Sequence, residues 1–298
     1  MKKTTKPRFS IVIPCYNEAL FIDETLKSLQ NQTFKGNVEV IVVDNNCSDN
    51  TVKIATSYGA KVISESKPGV CSARQSGTAS ASGQIIVSTD ADTTFKKDWL
   101  ENIDQIFHEE NCVAVAGPCA YIRGPWWSKI YPKLLFGSVD IVYKLIGRPF
   151  YVTATNIAFN KDAWDGYDTV LTQGGDELAL LHDLEKKGRV VFDRSNFVFT
   201  SARRLYRGLI YNIFVTFFYR YMLAYYLNKI FKRTVIGMAP PYRTTQSYSK
   251  WRTLGYRSAN ITAIITLLAI IHIPGKDTVF QQASETFGVI IKTIRSLI

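Results

Sequence analysis

Five short runs in the first 117 residues are apolar nearly from end to end: FSIVIP (9–14), VEVIVVD (38–44), AKVIS (60–64), GQIIVSTD (83–90) and NCVAVAG (111–117). A strand with one wet face alternates apolar and polar residues, whereas runs like these are covered on both faces, as in a parallel sheet. Between the first two, Ile22, Leu26 and Leu29 fall at i, i+4 and i+7, one face of a helix that starts near Glu18. The order βαβαβαβ implies an α/β, doubly wound fold whose site lies at the C-terminal ends of the strands. Beyond Gly117 come an aromatic stretch (121–136), a strand at 151–159, a helix from about Asp176 to Lys187 stopped by Gly188, and a strand at 189–193. No repeat or low-complexity linker interrupts this, so residues 1–203 read as one domain and 204–298 as a separate basic region.

The polar ends of the runs are the informative part. The first ends Pro14-Cys15-Tyr16-Asn17-Glu18, the second runs into Asp44-Asn45-Asn46-Cys47-Ser48-Asp49-Asn50-Thr51, and the fourth ends Ser88-Thr89-Asp90-Ala91-Asp92-Thr93. In a doubly wound sheet such ends converge on one crevice. No GxGxxG loop follows the first run, which argues against a dehydrogenase. The acidic and amide groups after the second suit a ribose or a base edge, although Asn, Asp and Ser also favour turns and helix caps. Asp90 and Asp92 form the kind of oxygen site that Mg²⁺ or Mn²⁺ favours, and such ions bridge carboxylates to substrate phosphates.

Together IVIPCYNE (11–18), VVDNNCSDNT (42–51), KPGVCSARQSG (67–77), STDADT (88–93) and GGDELALL (174–181) resemble the family 2 glycosyltransferases over roughly residues 9–200. The resemblance implies a GT-A nucleotide-sugar domain with a mainly parallel sheet, and inversion at the anomeric carbon. It implies that Pro14, Tyr16, Glu18 and Asp44 line the nucleoside pocket, that Arg74 lies close to the donor, and that Asp90 and Asp92 hold the metal-diphosphate. The family usually shows Asn after this Arg, and here Gln75 stands in its place. Members also carry a Glu-Asp pair at the start of a helix, with the Asp as catalytic base. This chain has Asp176-Glu177 instead, and the two possible registers make either Glu177 or Asp176 the base. Carboxylates in a first helical turn also complement the helix dipole without any catalytic role.

The implied chemistry needs these parts. Breaking the anomeric C–O bond passes through an oxocarbenium-like state, and negative charge grows on the departing diphosphate. A divalent metal stabilises that charge, while a carboxylate on the far face of the sugar takes the acceptor's proton. Arg203 and Arg204 follow the last strand and could bind phosphate or lipid headgroups. Leu205 comes next and no QxxRW motif is nearby, which argues against cellulose- or chitin-like polymerisation. Trp126 and Trp127 suit an acceptor-facing loop, a membrane interface or the core. His108, His182 and His272 show no ligand-like partners.

Charge is uneven along the chain. Residues 201–298 hold 14 basic groups against Asp277 and Glu285, a balance of +12 out of +11 for the whole. Segment 205–231 adds ten aromatics, and aromatic and basic residues together favour an anionic membrane surface over nucleic acid. Residues 258–275 are charge-free but include Asn260, His272, Pro274 and Gly275, a borderline span. The five cysteines lack metal spacing and read as reduced, structural thiols. The start of the chain has no apolar signal core, so nothing suggests export. The expectation is a peripheral enzyme on the cytoplasmic face of the cell membrane. It would move sugar from a nucleotide-sugar donor to a lipid-linked or cell-envelope glycan acceptor. The alternatives are a polyprenyl-phosphate glycosyltransferase and a catalytically silent sugar-nucleotide or membrane-binding module.

Overall fold

The computed structural model describes residues 6–169 and 176–212, with the single positions Val215, Tyr219, Leu223 and Leu227. In chain order these form β1 (Phe9–Cys15), α1 (Ile22–Gln30), β2 (Val38–Asp44), α2 (Thr51–Ser57), β3 (Lys61–Ser64), α3 (Val70–Ala79), β4 (Ile85–Ser88), β5 (Thr93–Thr94), α4 (Trp99–Glu109), β6 (Ala114–Ala116) and β7 (Cys119–Ile122). There follow α5 (Tyr131–Ile146), β8 (Ile157–Asn160), α6 (Asp176–Lys187), β9 (Val190–Phe192) and β10 (Val198–Ser201), with short 3-10 helices at Trp126–Lys129, Lys161–Ala163 and Arg203–Arg207. The chain divides into two compact units, Met1–Arg243 and Thr244–Ile298, and every described residue belongs to the first. Of the interfacial segment expected at 205–231, the part beyond Asn212, apart from those single positions, lies outside the described residues, as does the whole borderline span at 258–275.

All five apolar runs become strands. They join a seven-stranded sheet in the order β3-β2-β1-β4-β8-β6-β9, and β1, β2, β3 and β4 pair in parallel. Ile11, Val12 and Ile13 of β1 and Ile41, Val42 and Val43 of β2 are buried, as strands covered on both faces must be. Helix α3 comes close enough that a Cβ added at Gly77 would lie 2.4 Å from Val12 Cγ1 and 2.8 Å from Val43 Cγ2. The small residue is what admits the helix.

The sheet is mainly parallel, as expected, with one strand reversed: β8 runs antiparallel to both β4 and β6. Two expectations are corrected. The strand expected at 151–159 is regular only from Ile157, because the preceding backbone is engaged otherwise: Asn156 N closes a turn onto Thr153 O (3.0 Å) and Thr89 Oγ1 donates to Thr155 O (2.8 Å). Helix α1 begins at Ile22 and not near Glu18, because Asn17 is left-handed (φ 55°) and the Glu18 carbonyl closes a turn with the N–H groups of Phe21 and Ile22. A second sheet, β5-β10-β7, was not foreseen from the sequence; it lies where the chain leaves Asp92.

Candidate active site

The crevice starts where β1 and β2 end side by side, with Cys15 registered against Asp44. Each strand turns through an asparagine of positive φ, Asn17 (55°) and Asn46 (68°), a conformation Asn tolerates better than most residues. Asn17 Oδ1 accepts from Ser48 N (2.7 Å), and Thr51 Oγ1 accepts from Glu18 N (2.8 Å), so the two turns brace each other. Asp44 Oδ1 caps its own turn by accepting from Cys47 N (2.8 Å). Asn45 donates to the carbonyls of Glu65 and Lys67 and accepts from Gly69 N, fixing the loop that feeds α3. Of the residues assigned to the nucleoside pocket, Tyr16 is exposed, Pro14 and Asp44 are half-buried, and Glu18 is buried.

Arg74, buried on α3, spans the floor of the crevice. Its Nη2 donates to Asp90 Oδ1 at 2.8 Å and its Nη1 pairs with Asp176 Oδ2. One guanidinium thus joins the carboxylate after β4 to the carboxylate that opens α6, although they are 86 residues apart by number. The other Asp90 oxygen accepts from Thr155 Oγ1 at 2.7 Å. Gln75, the departure from the family pattern, reaches elsewhere: its Oε1 accepts from Tyr167 N at 2.7 Å and pins the chain ahead of residues 170–175.

Arg203 makes a second bridge. Its Nη1 and Nη2 grip both oxygens of Glu18 (2.6 and 2.9 Å), and Nη2 also reaches Asp92 Oδ2 (3.1 Å). Its guanidinium also sits over the Phe21 ring at 4.8 Å. Position explains the pairing, since Ser201 N donates to Asp92 O and brings the end of β10 onto the Asp90-Ala91-Asp92 segment. The sequence marked Arg203 as a phosphate or headgroup ligand, and its inward partners were not legible because they lie 111 and 185 residues away by number. Thr155 and Thr200, the latter 3.4 Å from Asp92 Oδ1, carried no signal at all.

Burial sets the protonation pattern. It pushes the Asp92 carboxyl up to about 6; the charges of Asp90 and Glu18 add to this and Arg203 opposes it. Burial would also raise Asp176, but the Arg74 guanidinium overrides it and holds that carboxyl below its ordinary value. Glu177 is raised well above the ordinary range by burial and by the Asp176 charge. The two neighbours are thus driven in opposite directions, Asp176 toward its charged form and Glu177 toward its neutral form.

Among the described residues no group of three or more His, Cys, Asp and Glu is arranged to hold a metal unaided. The donor set still suits a hard cation that brings its own oxygen ligands. Glu18, Asp90, Asp92 and Asp176 face two guanidiniums, Arg74 and Arg203, so a diphosphate entering here meets an excess of negative charge unless a cation enters with it.

The sequence pattern described as Glycosyl transferase family 2 matches residues 10–166, more than half of the chain. Glycosyltransferase AglE of Haloferax volcanii is 35% identical over 105 residues, 33% of this chain and 34% of that protein. Glycosyltransferase GlyG of Streptococcus pneumoniae is 29% identical over 114 residues, 36% of this chain and 38% of that protein. The match thus spans little more than a third of the length of these curated relatives. Among solved structures, S. aureus TarS 1-349 superposes with a TM-score of 0.54 at 19% identity, over 67% of this chain and 63% of that one. The mannosyltransferase PcManGT of Pyrobaculum calidifontis, in complex with GDP-Man and Mn2+, gives 0.58 at 19% identity, over 98% and 83%. These likenesses are of fold, and they agree with the expected GT-A arrangement of a mostly parallel, mixed sheet. By the extent of the sequence match, the chain belongs to glycosyl transferase family 2.

Proposed function

We propose that this chain is an inverting glycosyltransferase that moves a sugar from a nucleotide-sugar donor to a lipid-linked or cell-envelope glycan. The observation that carries the reading is Arg74, which holds Asp90 and Asp176 at one guanidinium and so fixes the distance between a leaving-group end and a proton-accepting end. Pro14, Tyr16, Glu18 and Asp44 would receive the nucleoside at the ends of β1 and β2. Asp90 and Asp92 would hold Mg²⁺ or Mn²⁺ together with the diphosphate, and the ion supplies Lewis-acid stabilisation of the leaving charge. The TarS structure with UDP and the PcManGT structure with GDP-Man and Mn2+ support this donor class.

Asp176 takes the acceptor's proton in this reading. The Arg74 guanidinium favours its charged form, while burial and the Asp176 charge favour the neutral form of Glu177, so Glu177 tunes and orients the base. Residues 204–298 would attach the protein to the cytoplasmic face of the membrane through their positive charge and aromatics. The test is calorimetry with UDP-, GDP- and dTDP-sugars plus Mn²⁺, followed by product analysis. Asp92→Ala should lose metal-supported donor binding. Asp176→Asn should keep donor binding and lose about 10²–10⁴ in turnover. Donor affinity undiminished in Asp92→Ala would overturn the metal assignment, and normal turnover in Asp176→Asn would overturn the base.

A further inference from the structure

Helix α5 buries Pro132, Phe136, Val139 and Asp140, and among the described residues its other side is uncovered. On that side Leu134, Ile141 and Leu145 are 70%, 60% and 77% exposed, and Ile130, one residue before the helix, is 47% exposed. Spacings of 4, 7 and 4 residues place all four in one stripe along the helix. Gly137 falls in the same stripe, and a Cβ added there would meet nothing within 4 Å. Trp126, on the 3-10 helix just before α5, is 76% exposed. Single exposed apolar residues are ordinary, but a continuous row preceded in the chain by an exposed tryptophan marks a contact surface.

The charge around this row identifies the partner. Residues 121–150 contain Arg123, Lys129, Lys133, Lys144 and Arg148 against Asp140, or 5 − 1 = +4. The one acid of the segment is buried and paired with Lys144 and Arg194, and Glu24 of α1 pairs with Arg123 at 3.3 Å. All five basic residues are exposed. An apolar stripe preceded by a tryptophan, with a cationic border, suits a surface with apolar depth beneath anionic headgroups. The same charge disfavours a second copy of this face, since two cationic surfaces repel.

We propose that the Ile130–Leu145 face of α5 docks on an anionic lipid bilayer, its apolar stripe at the acyl boundary and its lysines among the headgroups. The contact belongs to the described domain and does not depend on residues 213–298, so loss of the tail as an anchor leaves it standing. It deepens the membrane partner of the proposed function by giving it a second site. The face is joined to the crevice through the small sheet: β7 leads into it, and β7 pairs with β10, which pairs with β5 directly after Asp92. Tyr206 Oη donates to Arg123 O (2.7 Å), linking the chain after Arg203 to the same face.

The test uses the full chain with an environment-sensitive dye on Ile141→Cys in a Cys47→Ser background, where the four other cysteines are buried. A dye on Lys53→Cys, on exposed α2, is the control. Phosphatidylglycerol vesicles should shift the dye at 141 to the blue and leave the dye at 53 unmoved. On phosphatidylcholine vesicles, binding at 141 should be at least about fivefold weaker. The double variant Leu134→Asp/Ile141→Asp, with an unchanged melting temperature, should weaken partitioning about tenfold or more. A dye at 141 that keeps its aqueous spectrum on protein pelleted with anionic vesicles overturns the proposal. So does a blue shift that grows with protein concentration in the absence of lipid, which would assign the face to a second copy.

Discussion

Asp176 and Glu177 are neighbours in one helical turn, yet the structure drives them apart in protonation, and this makes their substitutions opposite in effect. Glu177 holds a proton in the folded state that it releases, when unfolded, above about pH 4.3. The folded chain then binds more protons than the unfolded one, so this residue lowers stability progressively as pH rises from about 4.3 toward its raised folded value. Glu177→Gln should therefore gain in melting temperature relative to the parent as pH increases from 5 to 8. Asp176 has the opposite sign: its stabilisation is present above about pH 3.9 and is lost as pH falls through the lowered folded value. Asp176→Asn leaves part of the buried Arg74 charge uncompensated and should destabilise by up to about 3–5 kcal/mol at pH 7. Thermal melts of the two variants across pH check both, and parallel curves would show that the pair does not divide its charge this way. In the sequence the Asp176-Glu177 register stayed open because spacing gives a residue's place on a helix, while its ionisation depends on Arg74, which is 102 residues away. Arg203 was visible as a cation for the same reason that its role was not: its partners Glu18 and Asp92 are set by the meeting of β10 with the Asp90-Ala91-Asp92 segment.

At the scale of elements, apolar runs predicted strands well because burial on both faces leaves a direct mark on composition. Antiparallel β8 left no such mark, since a strand buried between two others reads alike in either direction. Helix α5 was hidden for a related reason. Its buried Phe136 and Val139 and its exposed Leu134 and Ile141 are equally apolar, so no polar face outlines the period. The fit of α3 on β1 and β2 depends on a residue that sequence patterns undervalue in helices. Gly77→Ala introduces a better helix former but drives a methyl group into Val12 and Val43, and the overpacking should cost about 1–3 kcal/mol. Because α3 carries Arg74 three residues earlier, the same change should lower turnover as well. Denaturant melts alongside transfer assays test this, and a variant as stable as the parent would mean that the helix can shift outward freely.

For the whole molecule, two attachments of different physics are expected to act together. Residues 1–200 carry 22 basic and 23 acidic groups, a balance of −1, and residues 201–298 carry +12, so the net positive charge resides wholly in the tail. Each Lys or Arg at such a surface contributes about 1 kcal/mol, and that attraction weakens as the Debye length falls from about 10 Å at 0.1 M salt to about 3 Å at 1 M. The apolar stripe of α5 is not screened in this way, because removing apolar surface from water does not depend on ionic strength to the same degree. Among the described residues no helix is long and apolar enough to cross a membrane. Flotation of the full chain on phosphatidylglycerol vesicles should therefore fall steeply between 0.05 and 1 M salt but level off above zero. The Leu134→Asp/Ile141→Asp variant should fall further, toward complete release. If both proteins float equally at 1 M salt, the residual contact lies outside α5 and a membrane-inserted segment within 213–298 must carry it. If both are fully released, the stripe adds nothing to electrostatics and the tail alone determines where this glycosyltransferase-family chain resides.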